Sequence, residues 1–456
     1  MTVTAVTDIE SREPSCLFYQ TRARRPVVAR AEGIHIWDRD GRRYIDGSSG
    51  AMVANIGHGN PRVLAAMRRQ MEDATFAYRL HFETEAAETL ARRIAARMPA
   101  HVDRVFFVSG GSEAVESCLK LARQYALASG QASRYKVISR FPSYHGATLG
   151  ALAITGYAPM TAPFAPMMRE MPKVPAPTCY LDNDDLDWGA RGLRYAETLR
   201  EEIRRQGPET VLAFIMEPVG GASTGALVAP DSYYGRIREI CDEYGVLLIL
   251  DEVMSGVGRT GRFLAAEHWH LRPDIVALSK GFAAGYAPLG AMVADRRLVE
   301  PVLDAGGFIH GFTYAGNPLA CAAGLAVLNE IESLDLMANA ARMGDVLKRG
   351  LRELMGRFPF IGDVRGLGLL LAFELVADRK TMRPLPRELN AHSVLVEIAY
   401  ERGLIIYSRR TRGGLEGDHF MVCPPMIVDE AQVAEILSLL EDSLAAFAAQ
   451  VGLPTA

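Results

Sequence analysis

The sequence predicts an α/β fold in which a mainly parallel sheet is flanked by helices. Residues 246–250 and 275–278 form apolar runs that are too short for helices and match strands buried on both faces. Amphipathic segments of helical length, such as residues 195–205 and 233–244, separate these runs along the chain. Strand–helix alternation of this kind is typical of parallel sheets with crossover helices. The length of 456 residues allows two or more lobes.

Composition indicates a soluble globular protein. Apolar residues make up 49% of the chain and charged residues 23%, and the formal net charge of −4 predicts no basic face for nucleic acid or anionic lipid. No apolar run approaches the roughly 18 to 20 residues that span a membrane. The N-terminus lacks the basic start and apolar stretch of a signal peptide. The six cysteines are scattered without a CxxC pair, which predicts reduced thiols, a cytoplasmic location and no metal site.

The N-terminal part is predicted to be a tail followed by a hairpin. Residues 1–15 are expected to be mobile. Residues 27–50 alternate in the manner of strands and are interrupted at Asp40-Gly41, a dipeptide typical of hairpin turns. The second strand ends in the small polar residues 46–50, which predicts that it opens toward a site. Amphipathic helices are predicted next, at residues 61–74 and 84–98.

Polar side chains follow three of the predicted strands at the point where each strand ends. These residues are Glu217 after residues 211–216, Asp251 after residues 246–250, and Lys280 shortly after residues 275–278. In open α/β sheets, ligands bind beyond the carboxyl ends of the strands. The three side chains are therefore expected to share one edge of the sheet.

Lys280 and Asp251 together suggest a particular chemistry. Lysine attacks carbonyl groups to form imines, and it does so well only when burial or a neighbouring cation lowers its pKa from about 10.4. An aspartate held nearby keeps a pyridine nitrogen protonated, so that the ring accepts electrons. Pyridoxal phosphate chemistry requires this pairing. Taken alone, the two residues also fit an ordinary ion pair.

Two further strand ends suit a phosphorylated ring. Residues 109–113, Ser-Gly-Gly-Ser-Glu, lie between a predicted strand and a helix predicted at residues 114–128. Glycines let the backbone approach an anion, and free N–H groups at a helix start bind phosphate. The same residues also suit an ordinary strand-to-helix turn. After a strand predicted at residues 136–139, Tyr144 and His145 are placed to stack on a flat ring or to pack within a loop.

The C-terminal part of the chain is predicted to form a second, smaller α/β lobe. After Lys280 the chain is expected to return as a strand, and a loop at residues 310–318 leads into a helix at 319–332. The lobe follows with a further helix, a strand at 364–374, a helix at 391–402, strands at 404–407 and 419–422, and a helix at 430–449. The predicted domains are the N-terminal tail and hairpin at residues 1–60, which joins the small domain, the large cofactor-binding domain at 61–325, and the C-terminal small domain at 326–456.

Residues 256–261, Gly-Val-Gly-Arg-Thr-Gly, match the GxGxxG pattern of nicotinamide-dependent dehydrogenases, which are a different class of enzyme. That pattern binds a dinucleotide where its first glycine directly follows a strand and the motif opens a helix. Here residues 251–255 separate the strand from the first glycine, and residues 262–274 offer at most a short helix. A dehydrogenase is therefore not favoured. A non-catalytic binding module is not favoured either, because it would need no lysine beside an acid at strand ends.

The strand ends and their surroundings resemble the class III aminotransferases, which are pyridoxal-phosphate enzymes of fold type I. The most specific part is LLILDEVMSGVGRTGRF followed by PDIVALSKG, within residues 247–281. Four more motifs occur in the family's order, so that the resemblance covers nearly the whole chain after the tail: SGGSEAVES, SYHGAT, MEPVGG and HGFTYAGNPLACAAG. The resemblance implies a large domain with a mainly parallel seven-stranded sheet flanked by helices, and a smaller α/β domain built from both termini.

Within that family the chain resembles the ω-transaminases. The resemblance implies transfer of an amino group from a primary amine or ω-amino compound to an α-keto acid, with pyruvate expected, through a Lys280 aldimine and pyridoxamine phosphate. A mutase or a decarboxylase on the same scaffold is the alternative. Shared active sites in a homodimer are also implied. By family position, Tyr19 and Met52 are expected beside the tail of the amine.

The resemblance further implies individual roles at the cofactor. Lys280 is expected to be the imine-forming lysine and proton carrier, and Asp251 to pair with the pyridine nitrogen. The other contacts are expected to be Gly110, Gly111 and Ser112 at the phosphate, Tyr144, His145 and Val253 at the ring, Glu217 near the ring hydroxyl, and Thr313 at the phosphate of the neighbouring subunit.

The substrate class depends on an arginine that this chain lacks. Relatives that act on ornithine-like or γ-amino acids carry it in the strand before a Pro-Pro pair, where this chain has Met421. Upstream, Arg409, Arg410 and Arg412 lie in a predicted glycine-containing loop at residues 408–414. Arginine binds carboxylates in bidentate fashion, and a loop can move it aside for substrates without one. A solvated loop is the alternative; for carboxylate binding, Arg410 and Arg412 are preferred.

Overall fold

The computed structural model describes residues 15–455, so the predicted tail up to residue 14 lies outside the described residues. The strands are β1 (Val28–Glu32), β2 (His35–Asp38), β3 (Arg43–Asp46), β4 (Val102–Val108), β5 (Lys136–Phe141), β6 (Lys173–Pro175), β7 (Val211–Met216), β8 (Leu247–Asp251), β9 (Ile275–Leu278), β10 (Gly290–Asp295), β11 (Ile361–Leu367), β12 (Leu370–Asp378), β13 (Arg383–Pro384), β14 (Leu404–Ile405), β15 (Tyr407–Arg412) and β16 (Glu416–Val422).

The helices range from single turns to long amphipathic helices. They are α1 (Ser49–Met52), α2 (Pro61–Asp73), α3 (Glu85–Ala95), α4 (Gly111–Ala128), α5 (Leu149–Ala153), α6 (Ala158–Thr161), α7 (Trp188–Gln206), α8 (Asp231–Tyr244), α9 (Arg296–Asp304), α10 (Pro318–Ser333), α11 (Leu336–Arg357), α12 (Ala391–Glu401) and α13 (Glu430–Val451). The shortest, α1, is kinked at Gly50, whose φ is positive.

The largest sheet has seven strands in the order β4-β10-β9-β8-β7-β5-β6. Neighbouring strands from β6 to β9 run parallel, whereas β10 is antiparallel to both β4 and β9. Alternate residues of β8 pack into two separate apolar clusters. Leu248 and Leu250 belong to the cluster that includes α8, whereas Leu247 and Ile249 belong to the cluster that includes α4. Helices therefore cover both faces of this sheet, and the predicted α/β class with a mainly parallel seven-stranded sheet is confirmed.

This topology brings the polar strand ends to one edge. In the parallel pair β8–β9, Asp251 lies opposite Ala277, so the chain leaves both strands on the same side. The neighbouring β7 ends directly before Glu217, and β5 leads toward Tyr144. Because parallel strands share a carboxyl end, distant parts of the sequence meet there.

Both ends of the described chain contribute to a smaller sheet in the order β1-β2-β3-β14. The predicted hairpin is present, and Gly41 in its turn has a φ of +81°. Strand β3 then pairs in parallel with β14, with Ile45 opposite Leu404. A third sheet, β11-β12-β16-β15 with β13 beside β12, is antiparallel throughout.

Several boundaries expected from the sequence are wrong. The strand predicted at residues 364–374 is two strands, β11 and β12, that meet in a turn where Gly368 has a φ of +54°. The loop predicted at residues 408–414 is largely strand β15, because it pairs with β16 before the chain turns at Gly413. Helix α7 begins at Trp188 and not at residue 195, since the side chain of Asp187 caps the N–H of Ala190.

None of the helices formed by residues 15–455 combines the length and the apolar character needed to cross a bilayer. All six cysteines are free thiols, of which Cys16 is exposed and the others are buried. Within the same residues, no group of three or more His, Cys, Asp or Glu side chains is arranged to hold a metal ion.

Candidate active site

A cavity of about 150 Å³ lies at the edge where the polar strand ends meet. Most of the residues expected at a cofactor line it: Gly111, Ser112, Tyr144, His145, Glu217, Asp251, Val253 and Lys280. They come from five separate segments of the chain, each of which follows a strand of the large sheet or opens a helix packed on it. The sheet thus assembles one site from groups that are far apart in sequence.

Lys280 lies just beyond β9 with a φ of +51°, a backbone conformation that non-glycine residues rarely adopt. Burial lowers the pKa of its amine from 10.5 to about 8, although the nearby carboxylates of Asp251 and Glu217 oppose that change. Within residues 15–455, no hydrogen bond or ion pair holds its Nζ atom. Near neutral pH, a larger fraction of this amine is therefore uncharged and nucleophilic than for an exposed lysine.

Asp251 is buried and held in one orientation by two hydrogen bonds. Its Oδ1 accepts from the backbone N–H of Val253 at 3.1 Å, and its Oδ2 lies 2.8 Å from Nδ1 of His145. Because a carboxylate can only accept here, Nδ1 of His145 carries the hydrogen. The Nε2 of His145 is buried, and no partner for it is found among the described residues. The pair presents a negative charge to the cavity at a defined place.

Glu217 lies on the next strand end, also buried. Its Oε1 accepts from the backbone N–H of Gly221 at 2.9 Å, and its Oε2 accepts from that of Tyr144 at 3.4 Å. Burial raises the pKa of this carboxyl, against the lowering effect of His145 and Arg140. Glu217 thus connects the loop after β7 with the loop that carries Tyr144.

Helix α4 begins at the cavity without a side-chain cap. Gly110 occupies the N-cap position, and it has no side-chain oxygen that could accept from the N–H groups of the first turn. A Cβ on Gly111 would lie 3.0 Å from a methyl group of Val253, so a larger residue would crowd the cavity. Ser112 Oγ lies beside this turn and accepts from the N–H of Ala147 at 3.0 Å. Uncapped N–H groups at a helix start are a site for a phosphate group.

The site therefore fits a flat, phosphorylated heteroaromatic ring. The start of α4 suits the phosphate, and the buried Asp251 suits a protonated ring nitrogen. Tyr144 and Val253 supply an aromatic and an apolar surface to the same cavity. Lys280 supplies an amine that is able to bond covalently to an aldehyde carbon.

A second cavity of about 250 Å³ continues from the first, and we refer to it as the outer pocket. The two cavities share Tyr144, Ala222, Met254 and Lys280. The remaining residues of the outer pocket are Ala51, Met52, Tyr157, Met160, Ser223, Tyr407 and Arg409. Its wall is mostly apolar or aromatic, which suits the carbon chain of a small molecule that reacts at Lys280.

Of the three candidate arginines, the structure directs Arg409 into the outer pocket and turns Arg410 and Arg412 away. Arg410 donates to Oδ1 of Asn390 at 2.8 Å, and Arg412 donates to the carbonyl of Met382 at 2.6 Å. The sequence-based preference for Arg410 and Arg412 is therefore corrected. The reason is the pairing of β15, since successive side chains of a strand point to opposite faces.

Other expected site residues lie elsewhere on this chain. Met52 lines the outer pocket, where a φ of +57° sets its direction. Tyr19 and Thr313 are both exposed and line neither cavity. Gly110 does not line the cavity either, but it precedes the first turn of α4.

Seven residues of the outer pocket were not expected from the sequence: Ala51, Tyr157, Met160, Ala222, Ser223, Met254 and Tyr407. The segments that include Met254 and Ser223 each carried a signal, since both follow predicted strands, which end at residues 250 and 216. Tyr407 ends the strand predicted at residues 404–407, but nothing in the sequence indicated that this strand reaches the pocket. No signal marks Tyr157, which comes from a separate element.

Comparisons with known proteins identify the family to which the chain is similar. The family model described as "Aminotransferase class-III" matches residues 19–444. The putrescine–pyruvate aminotransferase of Pseudomonas aeruginosa is 32% identical over 428 residues, which is 93% of this chain and 91% of that protein.

Solved structures give the same result. A thermostable (S)-enantioselective ω-transaminase from Thermomicrobium roseum superposes with a TM-score of 0.88 at 35% identity, covering 96% of both chains. An amine transaminase from an uncultivated Pseudomonas species, solved in its PLP-bound form, superposes with a TM-score of 0.88 at 34% identity, covering 95% of this chain and 99% of that one.

Proposed function

The chain belongs to the class-III aminotransferases, which are enzymes that depend on pyridoxal phosphate, and from that premise we propose that it moves an amino group from a primary amine to pyruvate. The observation that carries this proposal is the outer pocket, whose wall beside Lys280 is largely apolar. Arg409 lies in that wall, and no ion pair to it is found among the described residues. A pocket of this kind suits both an amine without a carboxylate and a small keto acid.

The proposed cofactor contacts follow from the cavity lining. The phosphate would be held by the first turn of α4 and by Ser112, with Thr313 contributed by a second subunit. The ring would lie between Tyr144 and Val253. When bound, pyridoxal phosphate supplies an electron sink for the electron pair that remains when a carbon–hydrogen bond of the amine breaks.

We propose that side chains of this protein transfer the proton and stabilise the charge during this reaction. Lys280 Nζ would take the proton from the carbon that bears the amino group, and in the half-reaction with pyruvate it would give a proton to the carbon that receives the amino group. The lowered pKa of this amine supports that role, since a general base works best when its pKa is near the working pH. Asp251 would keep a proton on the ring nitrogen, and His145 would hold the Asp251 carboxylate in place.

The proposed substrates explain why a fixed carboxylate clamp is missing. Met421, at the position where some relatives carry arginine, is fully buried in β16. Arg409 is exposed and stacks near the Tyr407 ring at 5.1 Å, so it is free to approach an anion in the outer pocket. The carboxylate of pyruvate would bind Arg409, whereas the tail of an amine would lie against Met52 and its neighbours.

Two half-reactions test the proposal on the loaded enzyme, which is the protein with pyridoxal phosphate bound. A primary amine without an α-carboxylate should convert the cofactor to its amino form, and pyruvate should reverse that conversion, both followed by absorbance. Arg409→Ala should raise the KM for pyruvate by about tenfold or more, the loss expected for a hydrogen bond to a charged group. The KM for the amine should stay within about twofold, because the amine does not need the charge.

Arg410→Ala is the matched control, since Arg410 lies on the opposite face of β15 and should leave both KM values unchanged. If only α-amino acids such as glutamate react, the proposed substrates are wrong although the family assignment stands. An Arg410 variant that loses pyruvate affinity while the Arg409 variant keeps it would contradict the role of Arg409.

We further propose that the active form is a homodimer with shared sites. Thr313 is exposed, and apolar side chains are exposed around it: Phe76, Leu80, Phe82, Ile309 and Tyr314. The rings of Phe76 and Tyr314 are in contact at 6.0 Å, which makes these segments one surface. A large exposed apolar surface suits a second protein, and twofold dimers are the commonest oligomers.

The dimer is tested by light scattering and by activity at the same protein concentration. Phe82→Asp should shift the protein toward monomers and reduce activity, because a buried unpaired charge is unfavourable. Leu127→Asp, at an exposed position on α4, should change neither quantity. Full activity of a monomer at assay concentration would contradict the proposal.

The division into a tail and hairpin, a large domain and a C-terminal small domain also stays a proposal. It is supported by the sheet in which β3 and β14 pair, because this sheet joins both parts of the small domain. A cytoplasmic location is proposed on the basis of the six free cysteines.

A further inference from the structure

The hydroxyl of Ser223 is an unpaired polar group in the wall of the outer pocket. The residue is only 3% exposed, and its Oγ has no hydrogen-bond partner within the described residues. Ser223 is also one of the residues that line the pocket where the amine chain is proposed to lie. A buried hydroxyl without a partner costs free energy, so it is expected to meet a partner when the pocket is filled.

The backbone on both sides of Ser223 is held in place by the small domain. The carbonyl of Ala222 accepts from Nε2 of His419 at 2.9 Å, and the carbonyl of Thr224 accepts from a guanidinium nitrogen of Arg365 at 2.9 Å. A Cβ on Gly225 would lie 2.7 Å from His419 and 2.9 Å from Arg365, so this segment is closely packed. The backbone of Ser223 is therefore held at the wall of the outer pocket.

The two groups that hold this segment are themselves fixed. His419 is buried and must carry its hydrogen on Nε2, because a carbonyl only accepts; its Nδ1 then accepts from the hydroxyl of Thr411 at 3.0 Å. Burial lowers the pKa of His419 to about 3, so this arrangement persists across the working pH range. Arg365 is paired with Asp363 and Glu374, each at 2.9 Å.

The charges of the outer pocket limit what can bind at its far end. None of the residues that line it is Asp or Glu, whereas Arg409 contributes a positive charge. The ammonium group at the far end of a diamine would therefore find no anion and would be repelled by Arg409. An oxygen on the amine donor would instead find a hydroxyl donor in Ser223, which lines the same pocket.

Building on the proposed amine transfer, we propose that Ser223 is a specificity-determining residue whose hydroxyl donates a hydrogen bond to an oxygen at the far end of the amine donor. The preferred donors are then ω-amino acids and amino ethers, and diamines are disfavoured. Arg409 assists with anionic oxygens, whereas an uncharged ether oxygen depends on Ser223.

The test compares donors of equal length on the loaded enzyme. One pair is methoxypropylamine and pentylamine, which differ by an oxygen in place of a methylene; a second set is γ-aminobutanoate, butylamine and putrescine. Ser223→Ala should lower kcat/KM about fivefold for the ether and about tenfold for the amino acid, the losses expected for hydrogen bonds to neutral and charged acceptors. The plain alkylamines should react as well as before or better.

Ser139→Ala is the matched control, because Ser139 is another buried serine whose hydroxyl has no partner in the described chain, and it lines neither cavity. It should leave every donor unchanged. Equal losses for oxygen-bearing and plain donors in the Ser223 variant would indicate a structural role and overturn the proposal. The proposal would also be overturned if Ser223→Ala kept the wild-type preference among the donors. The same holds if the wild-type enzyme used putrescine better than γ-aminobutanoate and butylamine.

A binding measurement separates this inference from the proposed reaction. By calorimetry, the Kd of the loaded enzyme for pentanoate, which lacks an amine and cannot react, should weaken about tenfold in Ser223→Ala and not in Ser139→Ala. If no amine of either set is turned over, the proposed donor class fails, and this Kd still decides the role of Ser223. An unchanged Kd would refute that role.

Discussion

We expect Lys280→Ala to abolish transamination while the fold is retained. The change removes both the amine that bonds to the cofactor and the base placed to move the proton, and a positioned base by itself contributes up to about 10⁴-fold. The turnover number should therefore fall by at least about 10⁴-fold. Borohydride treatment of the wild-type holoenzyme followed by peptide mapping should place the cofactor on the peptide that contains Lys280.

Lys348→Ala is the control for Lys280, because burial also lowers the pKa of Lys348, yet its Nζ donates to the carbonyl of Gly366 and neither residue lines the two cavities. This variant should keep its turnover. A labelled lysine other than Lys280, or turnover of the Lys280 variant within tenfold of the wild type, would contradict the assignment.

The Lys280→Ala variant can also be tested by a measurement that does not depend on catalysis. The pKa of Lys280 falls from 10.5 to about 8 on folding, so between these values the unfolded chain binds more protons than the folded chain. The free energy of unfolding of the cofactor-free protein should rise with pH across that window, by at most about 3 kcal/mol from this group. Lys280→Ala should flatten the rise, measured by urea unfolding at a series of pH values.

The second large effect is expected from Asp251→Asn. The amide keeps the shape of the side chain and can still accept from His145, but it removes the negative charge that keeps the ring nitrogen protonated. Loss of one preorganised electrostatic group of this kind costs about 10² to 10³ in kcat. The turnover number should fall by at least this factor, with little change in the melting temperature.

Asp274→Asn provides the contrast, because Asp274 is a buried acid before β9 that accepts from the N–H of Leu248 and pairs with Arg238 and Arg297. It should lower the melting temperature and leave kcat close to the wild-type value. An Asp251 variant with near-normal turnover would show that the ring nitrogen does not need this carboxylate.

The strand ends of the large sheet could be predicted because the relevant information is local. A short apolar run such as residues 275–278 marks a buried strand, and the polar residue that follows it lies at the binding edge of any parallel sheet. Glu217, Asp251 and Lys280 therefore needed only their own neighbours in sequence to be recognised. The rejection of residues 256–261 as a dinucleotide site was equally local, and only a short helical turn, Ala265–Trp269, follows them.

The uncapped start of α4 was less certain from the sequence. Taken alone, Ser-Gly-Gly-Ser favours an ordinary strand-to-helix turn over a phosphate site, and only the folded chain places it beside Asp251 and Lys280. The orientation of Asp251 could not be predicted from the sequence either. His145, which binds its carboxylate, lies more than a hundred residues away and is brought to it by the neighbouring strands.

The sequence by itself determined the fold class and the family, and it named the strand-end residues that are proposed as the reacting groups, since each of these depends on short segments of the chain. Only the tertiary structure decided which arginine faces the outer pocket and which hydroxyl is left unpaired there. Arg409 is selected by the pairing of β15 with β16, and Ser223 by donors on β11 and β16 that hold its backbone. Such choices depend on hydrogen bonds between residues distant in sequence, and no local pattern records them.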